Sequence, residues 1–430
     1  MSQVSNPRDD KIVYKLKIKN SLMRSRIITA IDIGSSSIKL LSVAQKLKDQ
    51  NFEVLSLRQG LSAGIRKGVV IDISKASKAV AEIVRKAEQD CNQRIEMVYA
   101  NIGGAHLSSN SSHGLVSVSR ADRKISEEDI DRVLQAAQTF SLSSNKEIID
   151  VYPREYAVDG QGGIKEPLGM EGVRLESDVL VLCGFSPYLK NSSQAIANSG
   201  FHLQGLIPSA MASSRAVLND REKELGVCVL DIGAGSTDMS VFEEGGLIHV
   251  AVFPVGSANI TNDIAICLKT DINAAEKIKL EFGSCKKFGE SEQKGKKSEK
   301  KILLEGEDGL FFSKKILSNI IEARVSEIFE FANKELKKIS KFGMLPAGIV
   351  LTGGGAKLPG IKELAKEEFK LPCRIGFPEE FFSAQQDPCF STVCGLALEA
   401  DEASGPRDNW QGIKEGVGNK IRKFFRIFIP

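Results

Sequence analysis

Two stretches of the chain share one arrangement of residue types. Ala30-Ile-Asp-Ile-Gly-Ser-Ser-Ser-Ile-Lys39 and Leu230-Asp-Ile-Gly-Ala-Gly-Ser-Thr-Asp-Met239 each place Asp-Ile-Gly directly after an apolar, strand-like run and follow it with a turn of small residues. A second strand comes next, Lys39–Val43 in one and Met239–Phe242 in the other. The chemistry open to such a hairpin is phosphate binding. Gly34, Ser35 and Ser36 in the first turn, and Gly233, Ala234, Gly235, Ser236 and Thr237 in the second, are small enough for backbone N–H groups to approach phosphate oxygens, an approach that bulkier side chains would block. Asp32 and Asp231 at the strand ends can hold a hydrated Mg2+ that counters the phosphate charge. One Asp-Ile-Gly alone means little, because Asp-Gly turns are common in hairpins; the repetition argues against two ordinary turns. A third cluster, Val350-Leu-Thr-Gly-Gly-Gly-Ala-Lys-Leu-Pro-Gly360, reads as strand, glycine turn and helix. Gly353, Gly354 and Gly355 would let the backbone lie against a flat nucleoside.

The elements that must position these turns alternate between strand and helix from Arg26 onward. Ile27–Ile33, Ile38–Val43 and Phe52–Leu57 predict a three-stranded meander. Asp72–Asp90 carries apolar residues at helical spacing, and Ile95–Ile102 reads as a further strand closed by Gly103-Gly104. From Gly114 to Leu182 a small α+β module interrupts the pattern. It has a strand at Leu115–Ser119 and a helix from Ser126, whose hydroxyl suits an N-cap and whose following acids fall in the positive first turn. Two more strands follow, near Glu147–Val158 and Asp178–Leu182. Helix, strand and helix then run from Pro187 to Leu218, before the second hairpin. The stretch Cys285–Lys301 is polar and lysine-rich, as expected of a loop. Ser313–Lys341 predicts a long helix, Ile349–Leu351 a strand, and Pro359–Phe369 another helix.

Composition excludes several classes. The chain has 430 residues, of which 42% are apolar and 26% charged, values ordinary for a globular protein. That length predicts two to four units at about 100–200 residues each. No run approaches the roughly 18 apolar residues needed to span a bilayer, and the charged N-terminus lacks the apolar core of a secretory signal. The net charge of +3 is too balanced for a chain that binds nucleic acid across its surface. The eight cysteines form no C-x-x-C pair and read as buried thiols of a reducing, cytosolic setting. No zinc spacing of Cys and His is present.

With these motifs in place, the chain resembles the actin/Hsp70/sugar-kinase superfamily of ATP-binding proteins over about residues 26–400. Within it, the chain is similar to the FtsA family of bacterial cell-division proteins. The resemblance implies an α/β, duplicated actin-like (ribonuclease H-like) ATP-binding fold with a small inserted SHS2-like subdomain and a C-terminal amphipathic helix. It implies a flexible extension over 1–25 and a first half over 26–113 and 187–225, completed by 380–400. The inserted subdomain would span 114–186. The second half would span 226–379, with an ATP-side lobe near 258–345. A linker at 401–412 would precede the helix at 413–429. ATP and Mg2+ are the implied ligands. Lys39 would reach a β- or γ-phosphate, and Asp32 and Asp231 would hold Mg2+ through water. Glu276 and Lys279 would meet ribose or adenine, with Lys357 beside the glycine turn. An ordinary exposed helix face is the plainer reading of Glu276 and Lys279.

One departure bears on mechanism. ATPases of the superfamily carry Gln, Glu or Asp on the strand-to-helix turn that orients the attacking water. Here that turn is Leu206-Ile-Pro-Ser-Ala-Met211, and Ser209, its only candidate, is a poor base. Turnover is therefore expected to be slow or absent, with no catalytic residue assigned. The implied partners are the C-terminal peptide of the tubulin-like FtsZ on the ATP-side lobe, further copies of the chain in actin-like filaments, and later division proteins on the inserted subdomain. The expected location is the inner membrane's cytoplasmic face at mid-cell. A PilM-like pilus scaffold, or a sugar kinase or Hsp70-type enzyme, is the alternative.

The last residues carry their own argument. At 100° per residue, Ile413, Val417, Ile421, Phe424, Phe425 and Phe428 fall on one side of a helix, and Arg422, Lys423 and Arg426 fall opposite. An aromatic stripe facing away from a cationic one suits the interface of an anionic membrane. Docking on the protein's own core or in a partner groove is the competing reading.

Overall fold

The computed structural model describes residues 25–46, 52–139, 142–285, 301–303, 311–381 and 387–403. The expected extension up to residue 24, the lysine-rich stretch 286–300, and the proposed membrane helix with all its named residues lie outside the described residues.

The chain opens with β1 (Ser25–Ile33), β2 (Ser37–Lys46) and β3 (Phe52–Leu61), the expected meander, each strand longer than its apolar run. A two-stranded ribbon, β4 (Ile65–Arg66) and β5 (Val69–Val70), leads to α1 (Ile73–Cys91), capped by the Asp72 carboxylate. Strand β6 (Met97–Ile102) follows. The inserted unit comprises β7 (Ser108–Ser117), α2 (Glu127–Ala137), β8 (Lys146–Val158), β9 (Gln161–Ile164) and β10 (Arg174–Phe185). Next come α3 (Ser186–Asn198), β11 (His202–Pro208), α4 (Ser209–Val217) and α5 (Asp220–Leu225). The second half runs through β12 (Val227–Ile232), β13 (Thr237–Glu243), β14 (Gly246–Phe253), α6 (Ser257–Leu268) and α7 (Ile272–Phe282). It continues through β15 (Lys301–Leu303), β16 (Phe311–Ser313), α8 (Lys314–Lys338), β17 (Gly348–Thr352), α9 (Ile361–Phe369) and β18 (Cys373–Ile375). Helix α10 (Ser391–Ala403) closes the described chain.

The two large sheets have one topology. The first is ordered β11-β6-β1-β2-β3 and the second β18-β17-β12-β13-β14. In each, three antiparallel strands are extended by two parallel ones on the side of the first strand. Duplication of the fold is thus visible in the ladders as well as in the turns. Strand alternation divides the apolar residues of β1 between two layers. Ile31 and Ile33 pack under α1 and α3 against Val80, Val84 and Ile196. Ile28 and Ala30 face α4 and α10, against Ala212, Val393 and Ala397. Each fully buried aliphatic contributes about 1.5–3 kcal/mol, so both layers hold the first sheet rigid behind its turns. Helix α4 serves both halves: Ala212 packs on the first sheet, while Met211 and Val217 pack with Val227 and Val229 of the second.

Three boundaries differ from expectation. The inserted sheet begins at Ser108 and not Gly114, because Ser108–His113 pairs with Asp178–Cys183 of β10 as an edge strand; its Ser-Ser-Asn-Ser-Ser-His run has no apolar alternation to reveal it. The first strand begins at Ser25, inside the expected extension, by pairing with Lys46. The expected linker at 401–412 starts no earlier than 404, because α10 runs to Ala403 and its last turn is docked. Asp401 accepts a hydrogen bond from Gln45 of β2 at 2.7 Å and lies 3.9 Å from the Arg26 guanidinium. Among the described residues, no helix is long and apolar enough to cross a membrane.

Candidate functional site

Both hairpin turns and the glycine turn open onto one cavity of about 480 Å³. Its wall includes Asp32, Gly34, Ser35, Ser36 and Lys39 from the first hairpin and Asp231, Gly233, Ala234 and Ser236 from the second. Gly353, Gly354, Gly355 and Lys357 line it from the third turn, and Glu276 and Lys279 line it from α7. The structure therefore brings together residues drawn from sequence positions 32 to 357. Two expected residues are not part of the wall. Thr237 is fully buried and its hydroxyl donates to the Val255 carbonyl at 2.8 Å, so it braces β13 against the loop that follows β14. Gly235 instead meets the other turn. A Cβ there would lie 2.6 Å from the Ser35 hydroxyl, so glycine is what allows the two turns to touch.

Asp32 and Lys39 are direct partners across β1 and β2, and Lys39 Nζ donates to Asp32 Oδ2 at 2.8 Å. Burial works to lower the Lys39 pKa, but the Asp32 carboxylate and the field of Asp231 outweigh it, so the ammonium sits above the usual lysine value. Asp231 is held differently. Thr392, from the first turn of α10, donates to its Oδ2 at 2.8 Å. Burial, helped by the charge of Asp32, pushes the Asp231 carboxyl up to about 6 despite that hydrogen bond and Lys39. Gly353 sits at φ +81°, and a Cβ there would lie 2.2 Å from Asp231 Oδ1. The backbone passes this carboxylate only because the side chain is absent.

Glu276 and Lys279 share one face of α7, three residues apart, with Nζ 2.7 Å from Oε2. Lys279 is buried and also donates to the Ser257 carbonyl at 3.3 Å and the Thr261 hydroxyl at 2.9 Å. Lys357 pairs with Asp387 at 2.7 Å. These polar residues line the cavity along with Leu280, Leu358 and Pro359, a mixture that suits a flat polar ring with a sugar attached.

Sequence reasoning did not assign several wall residues. Asn101 is the penultimate residue of β6; its amide donates to Asp32 Oδ1 and to the Ser209 hydroxyl, both at 3.0 Å, and its Oδ1 accepts from the Ile33 N–H. Asp238 lies opposite Asp231 across the second hairpin and lines the cavity. Burial, then Asp231 and Asp32, push its carboxyl far above the ordinary range. Its signal was present in the repeat, since Asp238 follows Asp231 at the distance at which Lys39 follows Asp32. Cys389 and Thr392 come from the segment before and into α10. Ser209 lies in the wall, but its hydroxyl donates to the Ile102 carbonyl at 3.2 Å while accepting from Asn101. It is engaged on both counts. Among the described residues, no group of three or more His, Cys, Asp or Glu side chains is arranged to hold a metal ion.

The chain has recognisable relatives. The family model for cell division protein FtsA matches residues 228–395, and that for the SHS2 domain inserted in FtsA matches residues 104–183. The chain is 34% identical to cell division protein FtsA of Pseudomonas aeruginosa over 88% of its own length and 90% of that relative's. It is 34% identical to that of Neisseria meningitidis over 94% and 98%, and 31% identical to that of Bacillus subtilis over 86% and 83%. Among solved structures, it is similar in fold to a PilM–PilN type IV pilus biogenesis complex, at TM-score 0.61 and 18% identity, covering 86% of this chain and 98% of that one. It is also similar to MreB5 of Spiroplasma citri bound to ADP, at TM-score 0.52 and 13% identity, covering 87% and 95%.

Proposed function

The chain belongs to the FtsA family of cell-division proteins, and from that premise we propose that it binds Mg-ATP between its two halves and anchors the tubulin-like FtsZ to the cytoplasmic face of the inner membrane at mid-cell. The observation that carries the nucleotide part is the convergence of two phosphate turns, the Lys39 ammonium and the Gly353–Gly355 turn on one cavity. ATP acts there as a ligand that sets conformation and self-association into actin-like filaments. Hydrolysis is slow or absent, in keeping with the doubly engaged Ser209 hydroxyl.

The anchor is the 413–429 segment, and the surface for the FtsZ C-terminal peptide lies on the 258–345 lobe. Support for the second point is the basic end of α8, where Lys338 is paired with Glu335 at 2.6 Å and Lys337 lies 5.0 Å above the Phe342 ring. An acidic peptide would find cations there that are already oriented. Later division proteins are recruited through the inserted subdomain. The PilM-like reading has the fold in its favour, at 18% identity, but does not account for the aromatic-cationic C-terminus.

A fluorescent fusion in dividing cells tests the whole reading. A mid-cell band that disperses on truncation at Gln411 is expected; a uniform or polar membrane signal from the full chain would favour a scaffold of another envelope machine. For the peptide site, reversing the charges of Lys337 and Lys338 and deleting 285–299 should weaken binding of the FtsZ C-terminal peptide. Unchanged affinity in both would remove the basic surface from the proposal.

A further inference from the structure

The first sheet carries a row of three polar side chains across adjacent strands. Asp32 of β1 lies opposite Lys39 of β2, and Lys39 lies opposite Gln59 of β3. Directly opposed residues in an antiparallel ladder share a face of the sheet, and all three line the cavity. The neighbours of Gln59 turn the other way. Arg58 donates to the Asp90 carboxylate of α1 at 2.6 Å, and a Cβ on Gly60 would lie 3.7 Å from Ile83 of α1. Strand alternation therefore leaves Gln59 on the cavity side.

The end of β3 is tied to the first phosphate turn. The Ser62 N–H donates to the Ser36 carbonyl at 3.2 Å, and the Ser62 hydroxyl donates to the Gly34 carbonyl at 2.7 Å. Gln59, three residues earlier, thus keeps a fixed station relative to that turn. Bonding within the row is uneven. Lys39 is held by Asp32, its neighbour on one side. On its other side the Gln59 side chain is exposed, and among the described residues nothing hydrogen-bonds to its amide. A carboxamide offers two N–H donors and a carbonyl acceptor. Here they stand in the cavity wall one strand beyond the ammonium, about 5 Å farther along the sheet.

We propose that Gln59 reads the terminal phosphate of the nucleotide, its amide N–H groups donating to a γ-phosphate oxygen, so that the chain tells ATP from ADP. This deepens the nucleotide reading of the cavity, on which it rests. An ammonium such as Lys39 attracts any phosphate near it, because its field is long-ranged. A neutral amide rewards only an oxygen within hydrogen-bond reach, and a bond from N–H to a charged oxygen is stronger than one between neutral groups. Gln59 is the next polar group of the row after Lys39, and β3 is the last strand of its sheet. A phosphate chain that runs past the ammonium meets this amide, and one that stops short of it does not.

The test is equilibrium dialysis of the full chain with labelled ATP and, separately, labelled ADP, both in excess Mg2+, with the bound label analysed to confirm that the ATP is intact. The quantity read is the ratio of ATP affinity to ADP affinity. Gln59→Ala should lower that ratio about tenfold relative to the natural chain, the loss of one hydrogen bond to a charged group, while ADP affinity stays within about twofold. Gln59→Glu puts a carboxylate at the same station and should lower the ratio further by repelling the added phosphate. The side chain is exposed, so both variants keep the fold. An unchanged ratio in Gln59→Ala overturns the assignment. An equal loss of both affinities also overturns it, since Gln59 would then support the site without reading the terminal phosphate. A natural chain that binds neither nucleotide removes the nucleotide site itself, and this assignment with it.

Discussion

Lys39 and Asp32 face each other across the first hairpin, with Nζ 2.8 Å from Oδ2. The lysine is thereby held at the cavity wall with its ammonium charged and its position fixed. Removing it leaves Asp32 facing the phosphates with no cation on that oxygen. Lys39→Ala should therefore lower ATP affinity about 10- to 100-fold, the equivalent of one charge-assisted hydrogen bond at roughly 1.5–3 kcal/mol. Equilibrium dialysis with labelled ATP measures it, and affinity within twofold of the natural chain would remove Lys39 from the site.

The glycine turn offers a steric test. Gly353→Ala brings a methyl group to 2.2 Å from Asp231 Oδ1 at φ +81°. Either the turn or the carboxylate must move. ATP affinity should fall at least as far as in Lys39→Ala, with a loss of stability of about 1–3 kcal/mol from the strained backbone. Gly343→Ala is the control. It also has positive φ but has nothing within 4 Å of an added Cβ, so it should affect stability alone.

The inserted subdomain contains an acid-sensitive cap. Asp129 closes the N-terminus of α2: its carboxylate accepts from the Ser126 N–H at 2.9 Å, and the Arg132 guanidinium and Ser119 hydroxyl also donate to it. Burial alone would raise its pKa, but these donors outweigh burial and hold the carboxyl well below the usual range. The folded state therefore binds fewer protons than the unfolded chain near pH 4. The stability this supplies is complete above the ordinary aspartate value and is lost as pH falls below it. Asp129→Asn should cost about 2 kcal/mol at neutral pH and flatten the fall in melting temperature between pH 5 and pH 3. A variant whose melting temperature still falls as steeply as the natural chain's would show that other carboxylates dominate.

The C-terminal segment is tested on vesicles. Phe425→Glu removes a phenylalanine from the apolar arc, about 1.5–3 kcal/mol, and adds a charge to be desolvated. It should abolish co-sedimentation with anionic and neutral vesicles alike. Arg422→Ala with Lys423→Ala removes electrostatic attraction, roughly 2 kcal/mol at low salt. Its defect should be confined to anionic vesicles and shrink as salt rises. A chain ending at Gln411 that pellets as well as the full chain would move the anchor elsewhere.

The duplicated core was legible because its signal is local. An apolar strand that ends in Asp-Ile-Gly needs only its own residues to announce a hairpin, and Asp32, Asp231 and Gly353 were readable for that reason. What was not legible depended on distant partners. Thr392 reaches Asp231 across 161 residues of sequence, and a threonine in an apolar helix carries no mark of that role. Asn101 reads as the polar end of a strand until the sheet order places it beside Asp32. Ser108–His113 forms a strand because β10 offers it a ladder, not because its own residues favour one. Asp401 looks like the start of a polar linker and is instead tied to β1 and β2.

Helix α10 gives the architecture a mechanical property. Its first turn is bonded to the second half, through Thr392 to Asp231 and through Ser391 to Thr352 at 2.6 Å, while its middle packs against β1 and β2 of the first half. It is a stiff rod of 13 residues, about 20 Å long at 1.5 Å per residue, fastened to both bodies. The chain leaves from its far end toward the basic, aromatic tail. A pull applied beyond Ala403 therefore acts on a rigid helix whose first turn is bonded to a carboxylate of the ligand cavity.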